Sequence, residues 1–139
     1  NFPNQIIGVK DSTYNLYDKL DIDNFFVFPG SERKLLNGLD FGCDGVISAG
    51  CNVTSLLARK VYDDFNNKKD ISGNEKLCNV RKAFDHYNLV SALHTYKSLE
   101  NNIYSNVLPP LQLLNDMQKK ELLLSLKNLD FSSEEIVAS

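Results

Sequence analysis

The stretch Ile6-Ile7-Gly8-Val9-Lys10-Asp11-Ser12 sets a short apolar run against a lysine and an immediate turn signal. An apolar run bounded in this way suits a strand buried on both faces, as in a parallel sheet. A lysine at the C-terminal end of such a strand is costly, because a nearby core disfavours the ammonium and favours a free amine. A free amine at the mouth of a pocket is what Schiff-base chemistry on a carbonyl requires. On strand position alone, a lysine that snorkels into water is the commoner outcome.

Working outward, the same pattern recurs twice. Phe25-Phe26-Val27-Phe28 is a second apolar run, closed by Pro29-Gly30, and Gly45-Val46-Ile47-Ser48-Ala49 is a third, closed by Gly50-Cys51-Asn52. Each is followed by helical spacing: Leu16 and Leu20, then Leu35, Leu36 and Leu39 behind a Ser31 cap, then Leu56, Leu57, Val61 and Phe65. Strand–turn–helix units of this kind predict an α/β fold with a parallel sheet covered by helices. In such folds chemistry gathers at the C-terminal strand ends. Here those ends are Lys10, the Gly30–Glu32 turn and Cys51-Asn52.

From Asn67 the strand signals stop. Leu77, Val80, Phe84 and Tyr87 form one helical face, and Leu89, Leu93, Tyr96, Leu99 and Ile103 a second, until Pro109-Pro110 interrupts. Asn115 with Gln118 predicts a capping box for a helix carrying Leu122, Leu123 and Leu126, and Ser132 with Glu135 repeats the signal. The division expected is therefore 1–66 for the βα units and 67–139 for a helical extension.

Composition bounds the rest. The 139 residues are 42% hydrophobic and 24% charged, with a net charge of -3 and no basic stripe. Nucleic acid and anionic membrane are not indicated as partners. No apolar run approaches the ~18 residues of a membrane span. Cys43, Cys51 and Cys78 lack metal-site spacing, and His86 and His94 fit no metal motif, so neither a disulfide framework nor a metal is expected and a reducing cytoplasm is the default. The only methionine is Met117, and the first residues already approach a buried-type strand. The expectation is a piece of a longer product that lacks an N-terminal portion.

Among the polar residues, Asp11 suits the start of a turn better than a role in orienting the lysine. Ser12 can cap the following segment or hold a carboxylate. Gly30 permits close backbone approach, and Glu32 can accept from sugar hydroxyls or simply favour a helix N-terminus. Cys51 would line the pocket without acting as a nucleophile, since no histidine is placed to activate it.

Gly8-Val9-Lys10-Asp11-Ser12, Pro29-Gly30-Ser31-Glu32 before Leu35-Leu36, and Gly42-Cys43-Asp44-Gly45-Val46-Ile47-Ser48 running into Gly50-Cys51-Asn52-Val53 together resemble the last three βα units of the dihydrodipicolinate synthase / N-acetylneuraminate lyase family. That resemblance implies strands 6–8 of a TIM (β/α)8 barrel plus a C-terminal helical extension. It implies a pyruvate-handling class I aldolase or lyase that needs no cofactor, with Lys10 as the Schiff-base lysine. Ser12 would belong to the pyruvate pocket, Gly30 and Glu32 would contact the sugar-acid portion, and Cys51 and Asn52 would close the pocket. The Lys-Asp-Ser run is most similar to archaeal 2-keto-3-deoxygluconate aldolases, which cleave a 2-keto-3-deoxy sugar acid to pyruvate and an aldehyde. Dihydrodipicolinate synthase or N-acetylneuraminate lyase activity is the alternative within the family. The resemblance further implies a homotetramer, and a proton-shuttling tyrosine and carboxylate-gripping motif on strands outside this sequence. The implied partner is therefore the missing N-terminal part of the same barrel. Outside the family, a phosphate-binding barrel enzyme and a non-catalytic assembly segment stay open.

Overall fold

In the computed structural model, residues 5–20 and 22–132 are described. The cap signal at Ser132 and Glu135 therefore lies partly outside the described residues.

Two short strands, β1 (Gly8–Asp11) and β2 (Phe26–Pro29), pair in parallel with Lys10 opposite Phe28 and Asp11 opposite Pro29. The expected third strand does not form as a regular ladder. Residues 43–48 lie beside β2 through two backbone bonds, Asp44 N–H to Val27 O at 3.1 Å and Ile47 N–H to Pro29 O at 3.2 Å. The Asp44 carboxylate takes the Val27 N–H at 2.9 Å, occupying a donor that a third strand would use. Ile6, Ile7, Phe26 and Ile47 are left exposed around this small sheet.

The helix expected after β1 is also absent. Only one turn forms, in which the N–H groups of Lys19 and Leu20 reach Leu16 O. Asp11 is the reason: its side chain gathers the backbone N–H groups of Thr13, Tyr14, Leu16 and Tyr17, and the chain wraps around the carboxylate. Tyr14 has φ 59°, a left-handed conformation that a helix cannot contain. Helical propensity at Leu16 and Leu20 loses to these local side-chain bonds.

After β2 a 3-10 turn (Glu32–Lys34) leads into α1 (Leu35–Asp40), whose Leu35 and Leu39 are buried. Helix α2 (Cys51–Asn66) buries Val53, Ala58 and Val61 but turns Leu56 outward, against the expected face. Helix α3 (Gly73–Asp85) buries Leu77, Val80 and Phe84 as its periodicity predicts.

Helix α4 (Leu89–Lys97) is capped by Asn88 and stops before Leu99 and Ile103, which are exposed. There Asn101 accepts from the Ile103 N–H at 3.0 Å and opens a separate 3-10 turn. Helix α5 (Asp116–Asn128) begins with the expected reciprocal cap between Asn115 and Gln118. Val53 of α2 shares one apolar cluster with Val80, Phe84, Leu93, Tyr96, Leu122 and Leu126, so the helical extension packs directly on the βα part. None of the described helices is long and apolar enough to cross a membrane.

Candidate active site

The C-terminal ends of β1 and β2 and the N-terminus of α2 form one rim. Lys10, third residue of β1, is exposed, and among the described residues its ammonium has no ion-pair partner. The described residues do not wall in its side chain.

Asp11, the next residue, is only 2% exposed and points the other way, into the turn. Burial acts to raise its pKa. The Thr13 hydroxyl, at 2.7 Å, and the converging N–H groups outweigh that and hold the carboxyl well below the usual carboxylate range. The turn reading of Asp11 is what the structure shows.

This carboxylate makes a testable contribution. Its folded pKa lies below the unfolded value of about 3.9. The stabilisation is therefore fully present above that value and is lost as pH falls through it toward the folded pKa. Asp11→Ala should cost about 2–4 kcal/mol, since charged hydrogen bonds disappear and buried N–H groups lose their acceptor. Urea unfolding followed from pH 7 to pH 3 checks this: the gap between wild type and variant should hold down to about pH 4 and begin to narrow below it. Parallel curves across the range would rule the account out.

Ser12 is exposed and packs against Gly30. A Cβ on Gly30 would lie 2.9 Å from Ser12 Oγ and 3.1 Å from Ser12 Cα, so the close approach that demands glycine is that of the neighbouring strand end. The two expected site positions are thereby brought together.

Glu32 departs from expectation. It is fully buried, and both carboxylate oxygens are occupied: Oε2 accepts from Ser48 Oγ at 2.5 Å and from Arg81 Nη1 at 2.6 Å, and Oε1 accepts from Thr54 Oγ1 at 3.0 Å. A carboxylate so enclosed has no lone pair turned to a ligand, so direct acceptance from sugar hydroxyls is not supported. The sequence signal that could have revealed this is Arg81, an arginine on the otherwise apolar face of α3.

Cys51 is half-buried, and burial, together with the Glu32 charge, pushes its thiol up to about 11. Its side chain packs against the apolar cluster of Leu35, Ala58 and Val61. Asn52 is exposed on the rim, with its amide bonded to Ala49 O at 2.9 Å. His94 Nδ1 lies 2.9 Å from Tyr104 O and serves structure, while His86 is exposed. The described residues contain no cluster suited to a metal ion.

The sequence profile of the Dihydrodipicolinate synthetase family matches residues 2–129. A 2-dehydro-3-deoxy-D-gluconate/2-dehydro-3-deoxy-phosphogluconate aldolase from Picrophilus torridus is 26% identical over 111 residues, covering 75% of this chain and 42% of that protein. An N-acetylneuraminate lyase from Fusobacterium nucleatum superposes with a TM-score of 0.78 at 18% identity, over 89% of this chain and 45% of the other. A dihydrodipicolinate synthase from Bacillus anthracis gives a TM-score of 0.77 at 18% identity, over 88% and 44%. A 2-keto-3-deoxygluconate aldolase variant from Sulfolobus solfataricus gives 0.75 at 20%, over 89% and 45%. The chain thus spans less than half the length of the relatives it matches, and its α/β fold corresponds to part of their barrel. By the extent of the profile match, the chain belongs to the dihydrodipicolinate synthetase family.

Proposed function

We propose that this chain is the C-terminal part, strands 6–8 and the helical extension, of a class I aldolase that forms a Schiff base through Lys10. The observation that carries the proposal is the exposed Lys10 ammonium at the C-terminal end of β1, without an ion-pair partner among the described residues and next to the contact of Ser12 with Gly30. The substrate proposed is a 2-keto-3-deoxy sugar acid, supported by the Lys10-Asp11-Ser12 run and by the aldolase relative from Picrophilus torridus.

The Lys10 amine adds to the keto carbon and water leaves, giving an iminium. The hydroxyl proton of the substrate is removed and the adjacent C–C bond breaks. An aldehyde departs, and the electron pair passes into the iminium to form an enamine. Protonation and hydrolysis then release pyruvate and regenerate the amine. Ser12 hydrogen-bonds the keto-acid carboxylate, and Asn52 and Cys51 bound the far side of the pocket. Glu32 acts from beneath the rim.

The reaction requires the base and the carboxylate-binding groups of the N-terminal βα units, which complete the barrel and cover its open strand edges. Assembly into a homotetramer in the cytoplasm belongs to the same proposal.

Incubating the completed barrel with pyruvate and borohydride, then mapping the product by peptide mass spectrometry, tests it. A reduced pyruvyl adduct on Lys10 is the expected result. Absence of an adduct, or an adduct on another lysine, would sink the proposal.

A further inference from the structure

Glu32 and Arg81 are separated by most of the βα part and a loop, yet they meet in a buried ion pair, with Arg81 only 8% exposed and Glu32 not at all. Arg81 Nη1 donates both to Glu32 Oε2 at 2.6 Å and to Ser48 Oγ at 2.8 Å. Its Nε donates to Asp85 at 2.8 Å, and Asp85 in turn lies 3.7 Å from Arg33, the neighbour of Glu32. Thr54, in the first turn of α2, closes the other side of the carboxylate.

The guanidinium thus touches the turn after β2 and the segment before α2 at once, and these are two of the three pieces that form the rim. No buried side-chain polar atom among the described residues is left without a partner, so the arrangement is complete as it stands. A planar fork with several fixed donors can hold these partners together, whereas a lysine ammonium on a flexible stem cannot reproduce the geometry. The pyruvate end of the proposed site, Lys10 on β1 and Ser12 just after it, lies outside this network.

We propose that Arg81 is a positioning residue: from the helical extension it acts through Glu32 and Ser48 to set the wall of the pocket that receives the aldehyde end of the substrate. This rests on the aldolase reading given above. The helical extension thereby takes part in substrate selection without touching substrate.

The test uses the completed barrel with Arg81→Lys, and with the paired change Arg81→Met/Glu32→Gln, which removes both charges at similar volume. Replacing a buried ion pair in full is tolerated far better than removing one member. Both variants are expected to fold, on thermal unfolding, and still to form the borohydride-trapped pyruvate adduct. KM for a 2-keto-3-deoxy sugar acid should rise about tenfold or more with kcat little changed, as when a wall that binds ground state and transition state alike is displaced. A folded paired variant with wild-type KM overturns the proposal. So does a variant in which adduct formation, kcat and thermal midpoint fall together, because that is a merely structural role.

If wild type forms no adduct at Lys10, the Schiff-base reading fails, and the clamp is then judged without catalysis. Arg81→Lys retains the Glu32 charge but loosens the segment before α2. Alkylation of Cys51 by iodoacetamide should therefore quicken severalfold relative to Cys78. An unchanged ratio overturns the clamp.

Discussion

Lys10→Ala should abolish the borohydride-trapped pyruvate adduct and lower aldol cleavage by the completed barrel by about 10³-fold or more, as deletion of a covalent nucleophile generally does. Lys10→Arg should do the same, because a guanidinium keeps the charge but cannot form an iminium at neutral pH. Stability is the control. Lys10 is exposed and has no ion-pair partner among the described residues, so both substitutions should change unfolding free energy by no more than about 0.5 kcal/mol. Cleavage surviving in either variant with the fold intact would remove Lys10 from the chemistry. Lost cleavage accompanied by a large drop in midpoint would show that the lysine matters for folding instead.

The second large effect concerns Gly50, where two contributions oppose each other. The backbone of Gly50 is already helical, with φ -62° and ψ -28°, so alanine there should stabilise by roughly 0.4–1 kcal/mol through the unfolded state. A Cβ at this position, however, would lie within van der Waals overlap of Glu32 Oε1. A carboxylate at the end of a side chain can ordinarily swing away at little cost. This one is enclosed by Ser48, Thr54 and Arg81 and has no solvent to turn into. Displacing it breaks a buried pair, which costs about 3–5 kcal/mol. The clash outweighs the gain, and Gly50→Ala should lower the midpoint of thermal unfolding by roughly 10 °C. A gain in stability would mean that the carboxylate is free to move and that the network is loose.

Periodicity was sufficient for the helical half. Leu77, Val80 and Phe84 on α3 and Leu122 and Leu126 on α5 are buried where their spacing placed them, and the Asn115–Gln118 cap formed as written in the chain. These are local signals, decided within a turn or two. The βα part was less legible at the level of elements. The third strand and the first helix yielded to single carboxylates, Asp44 taking the Val27 N–H and Asp11 collecting four N–H groups. No hydrophobic pattern records such competition.

For the seven residues from Ile6 to Ser12, sequence alone placed a lysine at a strand end followed by a turn, and both are present. The family, too, was legible in the order of the three short motifs. What only the tertiary structure decided is the division of labour on the rim. Lys10 stands exposed and, among the described residues, without an ion-pair partner, whereas Glu32, equally polar and equally well placed in sequence, is sealed beneath by Arg81 from 49 residues further along. The reason is physical: whether a carboxylate faces a ligand depends on which cation reaches it first. That partner is fixed by the packing of α3 on α2, which no local spacing encodes.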